Sequence, residues 1–169
     1  MKHSLLFLAA IALLAASSLF AVEISVPNAA WKCDITEAAG PAGQDILVFE
    51  NDDASKMKNR RFTFTPAQLN QIRGRKLAFS AKIKADDVVR GKEYQNYLGI
   101  KLMIVIQDAE GKLSYKEAIP YAERQGNYDW KPYTTIANIP ADAKSCYLCI
   151  GIEHATGKVS YCDIKVVAE

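Results

Sequence analysis

The sequence predicts an antiparallel β-sandwich, built as a single domain, for this chain of 169 residues. Short runs rich in β-branched and aromatic residues recur along the chain, and turn-forming residues separate most of them. Only the segment 66–72 has helical character, and it is one or two turns long. Because no other helices are predicted to cover the strands, two sheets must pack on each other around one core.

The first residues have the layout of a secretory signal peptide. Lys2 and His3 make a short positive start, an apolar run covers 5–14, and small residues lead up to Ala21. We expect cleavage after Ala21, with Ser18 as the next choice. The apolar run falls short of the roughly 20 residues that span a membrane, although a retained N-terminal anchor is the alternative.

The chain therefore divides into a signal peptide at 1–21 and one β-sandwich domain at 22–169. No second apolar stretch is long enough to cross a bilayer, so the mature chain is expected to have no membrane span. The predicted location is secreted or periplasmic.

The strands follow one another at the spacing that is typical of a sandwich or a barrel. The segment 77–84 alternates apolar and polar residues, whereas 100–107 is apolar on both faces and is expected to be a central strand. Turns are predicted at 108–111 and 154–157. The predicted strands cover 46–50, 61–65, 77–84, 100–107, 112–119, 130–139, 146–153 and 158–167.

Strict alternation along the last two strands assigns their faces. We expect two sets of side chains to form the core between the sheets: Cys146, Leu148, Ile150 and Ile152 from one strand, and Ser160, Cys162, Ile164 and Val166 from the next. Tyr147 and Cys149 then lie on the outer face of their sheet.

Four cysteines in an exported chain permit disulfides. Cys146 and Cys149 stand three apart on a strand and should point to opposite faces, so they are not expected to bond to each other. A lone CxxC also lacks the second pair that a zinc site requires. A bridge between Cys33 and Cys162 is preferred if the first and last strands are neighbours, and free buried thiols are the alternative.

Positive and negative charges are nearly balanced in this sequence. This balance does not restrict the fold, but it indicates which classes of partner are not expected. The formal net charge of +2 falls to +1 when the signal peptide, which carries Lys2 and no acid, is removed. Nucleic acid and anionic membranes are therefore not expected as partners. The one basic cluster is expected to be a solvated strand edge or loop beside two aspartates; it consists of Lys56, Lys58, Arg60 and Arg61.

Catalysis is not predicted. His154 is the only histidine outside the signal peptide, and it lies in a predicted turn that joins two strands. A catalytic histidine needs a partner side chain that orients it. The adjacent acids Asp86 and Asp87 also lie in a predicted turn, whereas glycosidase acids flank a cleft. No metalloprotease, serine-hydrolase or phosphate-loop motif is present in the sequence.

Several segments together resemble the CenC-type carbohydrate-binding modules, which are jelly rolls of the galactose-binding-like class. The similarity extends from about residue 45 to 167, with 28–34 as a first strand. It is carried by 75–84, 108–111, 128–130, 139–143 and 159–166.

The resemblance implies a jelly-roll fold, a glycan or polysaccharide as partner, and no other cofactor than a structural calcium. Relatives often have two acids after the aromatic residue of the last strand, but here Cys162 replaces the first of them. The calcium ligands that remain are Asp163 together with Glu50 or Asn28, which would supply part of the oxygen set that calcium requires.

Two polar segments that also contain tyrosines are the predicted glycan site, because sugar rings stack on aromatic side chains and their hydroxyls pair with polar groups. Tyr94 and Tyr97 belong to the first segment, before the central strand. For every tyrosine the alternative is a half-buried packing role. The second segment contributes Tyr121, Arg124, Asn127 and Tyr128.

A cell-envelope protein, not a sugar, is the alternative partner. An exposed apolar sheet face that carries Met103, Val105 and Tyr147 would favour a protein-interaction or structural module. A groove lined with tyrosines and polar side chains would favour sugar.

Overall fold

The protein is described by a computed structural model that covers residues 21–31, 34–36, 40, 41, 43, 45–92 and 98–169. The signal peptide predicted at 1–21 lies almost entirely outside these residues. The strands are β1 Val22–Glu23, β2 Asp34–Thr36, β3 Ile46–Asn51, β4 Met57–Thr63, β5 Lys76–Arg90, β6 Gly99–Gln107, β7 Leu113–Glu117, β8 Gly126–Asn138, β9 Ser145–Glu153 and β10 Ala155–Ala168. Single turns of 3-10 helix occur at Asn28–Trp31 and Tyr121–Glu123.

Two antiparallel sheets face each other, as the sequence predicts, and form a β-sandwich of the jelly-roll type. One sheet has the strand order β2-β3-β10-β5-β8, with β1 also paired to β10. The other has the order β4-β9-β6-β7. β6 is thus a central strand of the smaller sheet, which explains why its sequence is apolar on both faces.

The one helix among the described residues, α1, spans Pro66–Ile72 and matches the predicted segment. Thr65 and Gln68 form a capping box: the Gln68 amide donates to the Thr65 hydroxyl, and the Thr65 amide donates to the Gln68 side chain. Pro66 follows the cap, where the absence of an amide hydrogen has no cost. None of the helices in the described residues has the length and hydropathy that a bilayer crossing requires.

The core lies between the sheets and is closed by aromatic contacts. Trp31 is fully buried and stacks on Phe79, with ring centroids 6.2 Å apart. Tyr161 of β10 crosses the core, and its hydroxyl lies 2.7 Å from the Lys101 carbonyl and 2.9 Å from the Gly151 carbonyl. The larger sheet therefore holds two strands of the smaller sheet at fixed positions.

The predicted faces of β9 are confirmed. Cys146, Leu148, Ile150 and Ile152 are all in the core, whereas Cys149 and Tyr147 lie on the outer face.

The predicted face of β10 is wrong over its first half. Val159 and Tyr161 enter the core, so Ser160 and Cys162 point to the other side. A β-bulge then adds one residue between Cys162 and Lys165, where Asp163 has a φ of +53°. The extra residue reverses the alternation, which brings Val166 into the core as predicted and leaves Ile164 half-buried against it.

Candidate functional site

Two of the predicted glycan contacts, Tyr94 and Tyr97, lie outside the described residues. The other four have local partners. Asn127 exchanges hydrogen bonds with Asp87, whose amide donates to the Asn127 side-chain oxygen at 2.9 Å. Tyr128 is half-buried against the core, which agrees with the packing alternative.

Tyr121 and Arg124 lie on the 3-10 turn and just after it. The Tyr121 ring is exposed, and the Arg90 guanidinium lies 3.9 Å from its centroid. The Arg124 side chain donates to the Ile119 carbonyl at 2.9 Å and pairs with Glu117 at 2.6 Å. Each of these four residues therefore has a separate local contact, and Arg124 reaches Glu117 on the smaller sheet. Their role in binding a glycan stays a prediction.

Two of the three predicted calcium ligands, Glu50 and Asp163, are far apart in the structure. Glu50 pairs across the strands with Lys158, five residues from Asp163 along β10, which corresponds to a separation of roughly 16 Å. Asn28 donates to Asp45, and Asp163 pairs with Lys165 at 2.9 Å. Within the described ranges no three side chains from His, Cys, Asp and Glu are close enough to hold a metal ion.

The thiols of β9 and β10 are buried and carry no disulfide among the described residues. Burial raises the pKa of both Cys146 and Cys149 to about 12, so neither is a reactive thiolate. Cys33 is not among the described residues, and its bridge to Cys162 stays a prediction. Asp34, the next residue, belongs to β2, which β3 separates from β10.

A groove of about 490 Å³ crosses the outer face of the smaller sheet and forms the candidate site. We call it the sheet groove. Each strand contributes the side chains that point away from the core. The groove is lined by Met57, Arg61, Lys101, Met103, Tyr115, Glu117, Tyr147 and Glu153.

Strand register explains how these side chains meet. Arg61 is opposite Cys149, Cys149 is opposite Met103, and Met103 is opposite Glu117, so one row crosses all four strands. Three strand spacings separate the β4 side from the β7 side by roughly 14 Å between backbones. A second row contains Tyr147, Val105 and Tyr115.

The floor of the groove is apolar. Met103 is 6% exposed, while Val105 and Cys149 are fully buried although they lie on the outer face of the sheet. Tyr147 packs against them. The larger side chains around this floor therefore shield it from solvent.

One end of the groove contains a network of buried charges. The Lys101 ammonium, on a side chain only 1% exposed, lies 2.9 Å from Glu117 and 3.6 Å from Glu153. Glu117 also binds Arg124, and Glu153 accepts a hydrogen bond from the side-chain NH2 group of Asn59. Protein groups of opposite charge or hydrogen-bonding groups thus compensate both carboxylates and the ammonium.

The other end presents aromatic rings. Tyr115 is 55% exposed at the β7 side. Across the floor, the Arg61 guanidinium lies 5.0 Å from the centroid of the Tyr147 ring. Burial raises the pKa of the Tyr147 hydroxyl, and the Arg61 charge partly opposes this shift. A ligand in this half of the groove meets a stacking ring, a phenol and a guanidinium.

Sequence analysis missed most of these residues. The predicted solvated strand edge around 56–61 is confirmed, because β4 is an edge strand on which Lys58, Arg60 and Arg61 are exposed. The contribution of Arg61 to the groove was not predicted. One signal was available: Lys101 is the single charge inside the otherwise apolar run 100–106, and a charge in such a strand needs a partner. Tyr115 and Glu117 gave no such signal because they lie on an ordinary alternating strand.

Comparisons with solved structures agree with the fold. A xylan-binding domain from carbohydrate-binding module family 22 matches with a TM-score of 0.52 and 14% identity, over 80% of this chain and 80% of that one. The C-terminal family 22 module of Clostridium thermocellum Xyn10B, whose cleft was studied for its role in ligand binding, matches with a TM-score of 0.51 and 13% identity, over 79% and 77%.

A longer chain with CBM22-1 and GH10 modules, from a Clostridium thermocellum xylanase in complex with xylohexaose, has a TM-score of 0.49 and 13% identity. The match covers 80% of this chain but only 24% of that one. No family model matches the sequence, and no curated protein matches it either. The chain therefore has the β-sandwich fold of carbohydrate-binding modules, while the CenC type stays a prediction.

Proposed function

We propose that this protein binds a glycan in the sheet groove and does not act on it chemically. The observation that carries the proposal is the groove's composition: tyrosines and hydrogen-bonding charged groups surround an apolar floor on one sheet face. Pyranose rings bury their apolar faces on such aromatic rings, and a few placed polar groups orient their hydroxyls. The similarity of fold to xylan-binding modules supports the same proposal.

Burial distinguishes this proposal from the protein-interaction alternative. An exposed apolar face was the feature that would favour a protein partner, but Met103 and Val105 are only 6% and 0% exposed, and of the two only Met103 lines the groove. What the groove presents to solvent includes Tyr115, Arg61 and parts of the charged network. That arrangement is the tyrosine-lined, polar groove expected for sugar.

The state of the two groove carboxylates supports binding without chemistry. Glycosidases use one carboxyl as a proton donor and a second as nucleophile or base. Here Glu117 is held by two cations, and Glu153 by Lys101 and the side-chain NH2 group of Asn59. We therefore assign Glu117 and Glu153 a structural role, in which each carboxylate and its partners hold one another in position.

Export is the second part of the proposal. We expect the chain to lose residues 1–21 and to act in the periplasm or outside the cell. Intact-mass measurement of the protein purified after export tests this, because a start at Val22 gives one defined mass. Retention of residues 1–21 would contradict it.

Affinity electrophoresis in native gels with a panel of soluble neutral and acidic polysaccharides tests glycan binding. Isothermal titration then measures the affinity for whichever polysaccharide retards the protein. The Tyr115→Ala, Tyr147→Ala double variant should lose at least tenfold in affinity. Tyr121→Ala is the matched control, because Tyr121 is similarly exposed but lies outside the groove lining.

The pattern of losses locates the site. Loss in the groove variant alone supports the proposal. Loss in Tyr121→Ala, or in a Tyr94→Ala, Tyr97→Ala variant, with the groove variant unaffected, places the site in the segments named from sequence. No retardation by any polysaccharide contradicts glycan binding and favours the envelope-protein alternative.

A further inference from the structure

The cations of the sheet groove differ in how they are neutralised. Lys101 lies between Glu117 and Glu153, and Arg124 pairs with Glu117. The two cations and two carboxylates cancel in charge. Arg61 is different: it is exposed, and within the described ranges no carboxylate pairs with it.

The groove therefore carries an uncompensated positive charge at its aromatic end. Around Arg61 the register places only uncharged side chains: Cys149 directly opposite, and Tyr147 opposite Thr63 two residues along. The charged network lies on the far side of the groove, on β7 and at the Lys101 end. An anion entering beside Arg61 meets no facing carboxylate there.

The Arg61 side chain is also held in a suitable orientation. Its guanidinium lies over the Tyr147 ring, 5.0 Å from the centroid. A guanidinium that stacks on a ring keeps its N–H groups at its edge, where they match the two oxygens of a carboxylate. Stacking also restricts the side chain before binding, which lowers the entropy lost on binding.

A sugar is placed by the second row of the groove. Val105 lies between Tyr147 and Tyr115, so the rings stand two strand spacings apart, roughly 10 Å between backbones, over a buried floor. A pyranose above Val105 contacts the exposed Tyr115 ring on one side. On the other side, the Arg61 guanidinium over the Tyr147 ring borders the same groove.

We propose that the sheet groove selects acidic glycans, with the carboxylate of a uronic acid bound by the Arg61 guanidinium. This inference rests on the proposed function, because it names the class of glycan that the same groove binds. A uronic acid combines an apolar ring face with a planar carboxylate on that ring. Tyr115 and Arg61 offer the complementary pair.

Matched polysaccharides test the proposal. Glucuronoxylan, polygalacturonate and alginate are compared with the same preparations after reduction of their carboxylates to primary alcohols. We expect at least one acidic polymer to bind about tenfold more tightly than its reduced form, since charge-assisted hydrogen bonds are the stronger ones. The difference should shrink as salt rises, because an exposed charge is screened.

Variants assign the difference to Arg61. Arg61→Gln should abolish the preference for the acidic polymer, and Arg61→Lys should retain part of it as a point charge. Arg60→Gln is the matched control, because Arg60 is the next residue, is exposed and alternates to the other face of β4. It should leave the preference unchanged.

The outcomes distinguish a failure of the selectivity for acidic glycans from a failure of glycan binding itself. Equal binding of acidic and reduced polymers, or an equal loss on both in Arg61→Gln, overturns the selectivity while glycan binding stands. Binding of neutral polymers alone overturns it as well. If no polymer binds, the proposed function itself fails and the selectivity falls with it.

Discussion

Both sheets carry lysine–carboxylate ion pairs on their outer faces, but the two pairs differ in solvent exposure. On the larger sheet, Lys84 and Asp86 form an ion pair whose side chains are 38% and 40% exposed. On the smaller sheet, Lys101 pairs with Glu153 at 1% and 10% exposure. Exposed pairs contribute little to stability, whereas a buried charge strongly requires its partner. Charged residues on a sheet therefore do not by themselves mark a solvated face.

The difference has a structural cause. The smaller sheet carries large side chains on its outer strands, including Arg61 on β4 and Tyr115 on β7, and these enclose the residues of β6 and β9 between them. Enclosure produces both the dry charge network and the apolar floor. For the glycan binding that we propose, part of the desolvation cost of this face was already met on folding.

The largest expected effect is the loss of the buried charge network. Lys101→Met leaves Glu117 and Glu153 without their shared cation in a dry site, so the free energy of unfolding should fall by about 3–5 kcal/mol. Urea denaturation followed by the fluorescence of the buried Trp31 measures it. Lys84→Met, the matched change on the other sheet, should shift stability by less than about 0.5 kcal/mol. Similar losses in both variants would refute the contrast between the faces.

Gly151→Ala should be nearly as costly, at about 2–3 kcal/mol. Its φ is +128°, and an added Cβ would stand 2.4 Å from the Lys58 carbonyl oxygen, a backbone atom that cannot rotate away. The clash would push β4 from β9 and move one side of the groove.

Gly126→Ala separates strain from clash, since Gly126 has a φ of +102° but open space around it. About 1 kcal/mol is expected for that variant. An equal loss of stability in the two glycine variants would show that no close approach of β4 matters.

These residues also show which parts of the molecule the sequence could predict. The faces of β9 were predictable because strict alternation continues through Cys146, Leu148 and Ile150. β10 has a comparable pattern, but the bulge at Asp163 inserts one residue, and alternation cannot reveal an insertion that the partner strand defines. Local patterning predicts a strand, while its register depends on a neighbour distant in sequence.

The sheet groove could not be predicted from the sequence for the same reason. It takes side chains from four strands whose spatial order, β4-β9-β6-β7, differs from their order in the sequence. Nothing local to Tyr147 or Tyr115 shows that they face each other across Val105. Analysis of the sequence therefore favoured tyrosines clustered within single loops, such as Tyr121 and Tyr128, which the structure gives separate local contacts.

A smaller effect is expected for the hydroxyl that connects the two sheets beneath the groove. Tyr161→Phe removes a fully buried group that contacts the Lys101 and Gly151 carbonyls, so stability should fall by about 1–2 kcal/mol. Tyr133→Phe is the comparison, because the partner of Tyr133 is Glu123, whose side chain is 39% exposed and can bind water instead. The loss there should be smaller, and a larger one would contradict this view of Tyr161.

The smallest effect on stability is expected where the effect on binding is largest. Tyr115→Ala removes a ring that is 55% exposed, so unfolding should change by less than about 0.5 kcal/mol. Val105→Ala, directly opposite in the strand pairing, truncates a fully buried side chain of the floor and should cost about 2 kcal/mol. Urea denaturation and glycan titration of both variants should therefore separate Val105, which stabilises the sheet, from the exposed Tyr115 ring, which we propose to contact the glycan. If Tyr115→Ala lowered stability as much as Val105→Ala, the ring would be part of the packing, and its exposure could not be assigned to a ligand.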